Sequence, residues 1–327
     1  MDMMRSLQIK APGLAELVQL PIPEPGPGQV VIKVLAINTC PHWDLHIFHG
    51  EPMFAGTGPI QYPYSAGQPG HEAAGEVYAV GAGVDDLRAG DRVAMWRDQG
   101  HGRQGCYAQY ALAERANLLQ VPDHVELEKV VSLELAMCVA ASILELKAWG
   151  GIQGRKTGVG GLGPAGRVAA QMFKAEGASE VVASEPDAAR RRAALDAGDV
   201  DAAFDPTGGA EQLPPLRHQP GAWETSVDCV GLAASVHFMM DHTSETLALF
   251  GVQREDYVYG VRHAGLRLFG YPGHHIHAAQ YAMDLISRGL LDLRPLASVT
   301  LPLTRYADGV HMLERGQALK ICYLPWA

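Results

Sequence analysis

Positive charge is in deficit. Lys and Arg number 26 against 36 Asp and Glu, for a formal net charge of −10. A nucleic-acid-binding surface shows a basic excess or clustered Lys and Arg. The one tight basic group here, Arg190-Arg191-Arg192, sits in an Ala-rich helical pattern with Asp187 and Asp196 close by. No apolar run approaches the roughly 20 residues needed to cross a bilayer. The N-terminal Met-Asp-Met-Met-Arg-Ser has no signal-peptide core. Cysteine is scarce and scattered, with five residues at 40, 106, 138, 229 and 322 and no CxxC pair. An odd, dispersed set argues against a disulfide framework or a small zinc knuckle and suits a reducing cytoplasm. Nucleic-acid binding, membrane spanning and a secreted disulfide fold are therefore not expected.

What remains is an ordinary globular mix, 47% hydrophobic and 19% charged, in a chain of 327 residues. That length suits two domains with real cores. No internal repeat or low-complexity tract is visible. Residues 1 to about 125 read as β-rich, with Val30–Ile37 the strongest strand, preceded by a Pro/Gly turn at 24–28. Ala74–Val80 and Arg92–Met95 follow, broken by Gly and Pro in the manner of a small barrel-like domain. After an apolar helix at Leu133–Leu146 the pattern turns to βαβ. Strands are expected at 157–160, 180–184, 226–230, 246–250 and 266–269, with helices at 165–176 and 187–197. This order implies an α/β fold with a doubly wound parallel sheet. A helix at 278–287, a strand at 300–303, a final helix and a short strand at 320–324 close the chain.

Gly161-Leu162-Gly163-Pro164-Ala165-Gly166 fits GxGxxG, follows a strand, opens a helix, and has Glu185 at the end of the next strand. That context is the dinucleotide-binding arrangement. Gly161 permits the tight turn, Gly163 lets the backbone reach a pyrophosphate at the helix N-terminus, and Gly166 allows close helix–strand packing. Glu185 is placed for the adenosine ribose hydroxyls. A carboxylate there favours NAD over NADP, whereas Arg190 and Arg191 offer a 2′-phosphate partner. Gly251 and Val252, after the fourth strand of the βαβ region, complete the expected cofactor set.

Gly70-His71-Glu72-Ala73-Ala74-Gly75 continues to Gly81 and Val84. With Asp44-Leu45-His46, Ala89-Gly90-Asp91-Arg92-Val93, the glycine fingerprint, Leu301-Pro302-Leu303 and Lys320-Ile321, it resembles the medium-chain dehydrogenase/reductases, in their zinc-type alcohol and polyol dehydrogenase branch. The resemblance covers nearly the whole chain. It implies a GroES-like β-rich catalytic domain in two parts, 1–135 and 274–327, around a Rossmann nucleotide-binding domain at 136–273, with the active site in the cleft. The implied activity is hydride transfer between a nicotinamide and a small alcohol, polyol or matching carbonyl.

The resemblance also implies one catalytic zinc. Pro41 stands where the family has its Cys ligand, and Cys40 is one residue early. Cys40, His71 and Glu134 (the last in a Ser132-Leu133-Glu134-Leu135-Ala136 stretch similar to that of polyol dehydrogenases) are the implied S, N and O ligands, with Glu72 beside them. Asp44 is expected to hold the His71 ring. Trp43 replaces the usual Ser or Thr of the proton relay, leaving His46, and His42 beside it, to move the substrate proton. The family's four-Cys lobe is absent, so no structural zinc is expected. Two alternatives stand beside this reading: a zinc-independent reductase of a quinone, enone or other carbonyl, and a non-catalytic dinucleotide-binding protein.

Other features point to packing or to the rim of the site. His274, His275 and His277 read as solvated or cofactor-adjacent, Met239, Met240 and Trp223 as packing residues, and His42, His46 and His49 as a loop rim. Trp43, Phe48, residues 51–64 and Tyr271 are expected to line the substrate pocket, with 53–64 as a lid. The strands at 247–250 and 266–269 are read as pairing edges of a homodimer or homotetramer.

Overall fold

A computed structural model describes residues 2–54, 56–98, 100, 102–208, 213 and 215–327. Ala55, inside the expected lid, lies outside the described residues. The chain divides into two compact units, Met1–Leu135 with Asp292–Ala327, and Ala136–Leu291.

In the first unit, β1 (Met3–Ala11) and β2 (Leu14–Pro21) form an antiparallel hairpin. A larger sheet is built on β3 (Gln29–Asn38), whose run of Val and Ile suits a strand covered on both faces. A helix, α1 (Pro41–His49), follows it. Next come β4 (Glu72–Val80), β5 (Arg92–Met95), β6 (Tyr110–Glu114) and β7 (Leu118–Gln120).

The chain then runs through α2 (Leu133–Gly150) into the second unit, with β8 (Lys156–Gly160), α3 (Pro164–Ala175), β9 (Glu180–Ser184) and α4 (Ala188–Asp196). It continues with β10 (Ala202–Phe204), β11 (Trp223–Asp228), α5 (Ala233–His242), β12 (Thr243–Leu249), β13 (Arg267–Gly270) and α6 (Ile276–Ser287). Finally β14 (Val299–Pro302), α7 (Tyr306–Glu314) and β15 (Ile321–Leu324) return to the first unit.

The seven-stranded sheet of the first unit runs β14-β15-β3-β4-β5-β7, with β6 also on β3. Strand β15 lies antiparallel to β3, pairing Cys322 with Asn38. The last residues of the chain are thereby brought beside the end of β3, where the candidate site begins. Leu7, Ile32, Ile37, Phe48, Tyr107, Tyr306 and Tyr323 are among the side chains of this unit's core.

The sheet of the second unit is parallel throughout, in the order β10-β9-β8-β11-β12-β13. Counted from β8 this is 3-2-1-4-5-6, the doubly wound order whose ligands bind outside the carboxyl ends of the strands. The α/β fold, with one β-rich unit and one unit built on a Rossmann sheet, is the one read from sequence. Trp223, Met239 and Met240 are buried in the second unit's core, as packing residues.

Two readings are corrected. His42, His46 and His49, read as a loop rim, stand on α1, because Pro41 at the first helical position presets φ and removes a donor with no use there. The 274–291 segment, assigned to the returning catalytic domain, belongs with the second unit: α6 buries Ala278, Ala282, Leu285 and Ile286, and the chain crosses back only at Asp292. Among the described residues, no helix is long and apolar enough to cross a membrane.

Candidate active site

His71 and Glu72 stand at the start of β4. Gly75, three residues on, has no room for a side chain, since a Cβ there would meet the Lys33 carbonyl oxygen at 2.1 Å. The strand pair β3/β4 closes tightly at that point and aims the preceding dyad inward. Cys40 caps the N-terminus of α1 in extended geometry, φ −103° and ψ 101°, as its position before Pro41 dictates. One ligand atom each from Cys40, His71 and Glu72 lies within 4.8 Å of the others. Glu134 Oε2 approaches His71 Nε2 at 3.8 Å. The structure thus brings together the four side chains singled out as metal donors. The one-residue displacement of the cysteine is absorbed by the helix start.

His71 Nδ1 faces the Pro69 carbonyl at 2.8 Å and so carries the proton of the neutral ring, leaving Nε2 as the lone pair directed at the donor set. Burial pushes this imidazole's pKa down, but the Cys40 thiol, Glu134 and Glu72 more than offset that and hold it well above the ordinary histidine value. Burial raises the Glu72 carboxyl, against the pull of Lys320 and His71. Lys320 Nζ donates to Glu72 Oε1 and to the Thr39 carbonyl, each at 2.5 Å. The other oxygen, Glu72 Oε2, is buried without a partner. Lys320 is the residue the sequence reading missed as part of the site. Its signal was a lysine between apolar residues at the mouth of a closing strand.

Asp44 does not hold the His71 ring, contrary to expectation. Its Oδ2 accepts the Cys40 N–H at 2.8 Å, and its Oδ1 accepts the hydroxyls of Tyr107 and Tyr306, each at 2.8 Å. The ring's Nδ1 is already taken by the Pro69 carbonyl, and helix α1 turns the carboxylate back onto its own N-terminus. Burial raises Asp44 to about 6 in spite of these donors. Trp43, at the usual hydroxyl position, packs edge-on to His71 with ring centroids 6.2 Å apart and meets Phe54 at 5.8 Å. On the same helix His46 turns Nδ1 to the Pro52 carbonyl at 2.9 Å, with the His42 ring 4.4 Å away.

In the second unit the glycine fingerprint takes its three distinct forms. Gly161 has φ +84°, and a Cβ on Gly166 would meet the Gly161 oxygen at 1.8 Å. Gly163 caps α3 without a side-chain hydrogen bond, followed by Pro164 and Ala165. A Cβ at Gly163 would meet nothing within 4 Å, so open space lies in front of the helix N-terminus. That cradle fits a pyrophosphate. Glu185 is buried, with Oε2 on the Leu162 N–H at 2.8 Å and Oε1 on the Asp187 N–H at 2.9 Å. It ties the glycine turn to the end of β9, a task the sequence reading did not give it. Arg190 lies 3.9 Å from Glu185, and Arg191 is held by the Glu185 and Pro186 carbonyls. Gly251 and Val252 back tightly onto Val230 and Gly231 beyond the ends of β11 and β12.

Two sites are thus on the page: a buried S, N, O donor cluster in a β-rich unit, and a phosphate-sized cradle at the carboxyl edge of a doubly wound sheet. Together they define a class, the dehydrogenases that pair a donor cluster with a nicotinamide fold. Residues 26–123 match the alcohol dehydrogenase GroES-like domain family. The chain is 27% identical over 348 residues to L-threonine 3-dehydrogenase of Thermococcus kodakarensis, covering 95% of each chain. It is 26% identical over 347 residues to human sorbitol dehydrogenase, covering 97% of this chain and 94% of the relative. In fold it is similar to a zinc-binding dehydrogenase of Sinorhizobium meliloti 1021 solved with NADP, with TM-score 0.84, 23% identity, and 99% and 100% of the two chains covered. It is also similar to 2R,3R-butanediol dehydrogenase of Bacillus subtilis, with TM-score 0.84, 20% identity, and 98% and 99% covered. By these likenesses the chain is similar over its length to the zinc-type alcohol and polyol dehydrogenases of the medium-chain dehydrogenase/reductase superfamily.

Proposed function

We propose that the chain is an NAD(P)-linked dehydrogenase that moves hydride between a nicotinamide and a small alcohol or polyol, or the matching carbonyl. The observation that carries this reading is the convergence of Cys40, His71 and Glu72 in one buried cluster with Glu134 beside it. The donor set suits one zinc ion: a thiol, an imidazole with its Nε2 lone pair directed inward, and a buried carboxylate oxygen lacking any other partner. Bound there, zinc supplies the Lewis acidity that lowers the pKa of a substrate hydroxyl. Cys40, His71 and Glu134 or Glu72 would hold it, with Cys40 the displaced member.

The remaining roles fall to the chain's own groups. Asp44 fixes the Cys40 backbone, Pro69 fixes the His71 tautomer, and Lys320 fixes Glu72. Trp43 packs against His71 on one side and Phe54 on the other, an apolar surface at that side of His71. His46 carries the substrate proton outward. Gly161, Gly163, Pro164, Ala165 and Gly166 cradle the pyrophosphate. Glu185 and Arg190 stand on the adenosine side, and Gly251 and Val252 line the far end, with NAD favoured over NADP. We read the enzyme as a cytoplasmic homodimer or homotetramer.

The Trp43 substitution and the Lys320–Glu72 pair favour one second reading, a metal-free reductase of a quinone or enone. Elemental analysis of the purified protein, beside a panel of alcohols with both nicotinamides, tests the two. One zinc per chain, lost together with alcohol oxidation in His71→Ala, is expected. Full activity in a strong chelator with no stoichiometric metal transfers the assignment to the reductase.

A further inference from the structure

In the second unit Tyr271, expected at the substrate pocket, meets Cys138 and His274 in a constellation to which the hydride-transfer reading gives no chemical step. Cys138, half-buried on α2, has its Sγ 3.5 Å from His274 Nε2. The Tyr271 hydroxyl donates to the same sulfur at 3.3 Å. Tyr271 and His274 stand just beyond the end of β13, their rings edge to face with centroids 5.6 Å apart. An imidazole nitrogen within reach of a thiol is the pairing that activates a nucleophile, and the Tyr271 hydroxyl fixes the position of the sulfur. It also lies at the carboxyl edge of a parallel sheet, the side to which ligands come in this fold.

The other cysteines are placed differently. Burial pushes the thiols of Cys106 and Cys229 well above the usual range and raises Cys322 to about 11. Cys40 is committed to the donor cluster of the first unit. Cys138 is the one described cysteine that has a general base, a hydrogen-bond donor and a half-open surface together.

We propose that Cys138 is a nucleophilic thiol that captures α,β-unsaturated carbonyl compounds by conjugate addition, with His274 as the proton carrier and Tyr271 as the positioning donor. The sulfur forms a bond to the β-carbon as its proton passes to His274 Nε2, and the carbon–carbon π pair moves to the enolate. The imidazolium then returns the proton to the α-carbon. The net change is addition of S–H across the double bond, with no oxidant, reductant or leaving group.

The test uses the full chain and substoichiometric N-ethylmaleimide, with the rate of adduct formation at each cysteine read by peptide mass mapping. Cys138 is expected to label first. His274→Gln and Tyr271→Phe are each expected to slow it by about tenfold, the size of a hydrogen bond to a charged group. Neither substitution should change the melting temperature or the labelling rate of Cys40, which serves as the internal control for fold. Labelling of Cys138 no faster than Cys322, or a Cys138 rate untouched by both substitutions, overturns the proposal.

Discussion

At the scale of single residues, the site was legible where chemistry restricts the choice of side chain and illegible where geometry decides. His71, Glu72, Glu134 and Cys40 could be named because their surroundings resemble the motifs of a known family, and the structure brings their side chains together. The direction of Asp44 could not, since it depends on Cys40 becoming a helix cap and on two tyrosines distant in the chain, Tyr107 from the segment before β6 and Tyr306 from α7. Lys320 was hidden for the same reason: its partner lies 248 positions away in the chain. Both members of that pair are 1% exposed, so each charge depends on the other. Replacing Lys320 with Met leaves Glu72 charged, buried and unpaired, and should cost about 3–5 kcal/mol of unfolding free energy. The double variant Lys320→Met with Glu72→Gln removes the orphan charge and should recover part of the loss. Denaturant unfolding of the three proteins reads this directly. A single variant within about 0.5 kcal/mol of the parent, the range of an ordinary surface change, would show that the pair does not stabilise the fold.

At the scale of elements, β-branched runs and βαβ alternation located β3, β5, β8, β9 and α3, because burial on a regular backbone leaves a period in the sequence. Helix α1 escaped. It is short, has no side-chain cap at Cys40, and carries three histidines where an amphipathic pattern would show a clear polar face. The β1/β2 hairpin escaped because most of β2 is only half covered, so its alternation is weak. The glycine turn between β8 and α3 shows how much an element's ends matter, and its glycines separate packing from binding. Gly166→Ala puts a Cβ 1.8 Å from the Gly161 oxygen, so turn and helix must move apart. Gly163→Ala meets nothing within 4 Å. The first variant should lose several kcal/mol of stability, as overpacked cores do, of order 1–3 or more. The second should melt with the parent yet bind NAD(H) at least tenfold more weakly, because the methyl group fills the cradle. Calorimetric melting beside fluorescence titration with NADH checks both. Parental NADH affinity in Gly163→Ala would move the pyrophosphate away from this turn.

At the scale of the whole molecule, two units were legible from the change of pattern near residue 127, but the point of return was not. Helix α6 follows a Pro/Gly turn and reads as the start of something new, and nothing local says which core its apolar face will join. The edge of the sheet was misread in the same way. The strand at 247–250, taken as an edge, is the inner strand β12, paired with β11 on one side and β13 on the other. Among the described residues β13, at this end of the sheet order, presents the open edge. Beside it the Tyr259 hydroxyl reaches the Leu266 carbonyl, and this segment exposes Val258 at 69%, Tyr259 at 45% and Val261 at 94%. An open parallel edge next to an apolar strip is costly to leave in water and invites a second copy about a two-fold axis. A dimer at micromolar concentration is therefore expected by light scattering. Val258→Asp with Val261→Asp places like charges across the axis and should yield a monomer with parental circular dichroism. A parent that is already monomeric, or a double variant that stays dimeric, would place the assembly surface elsewhere.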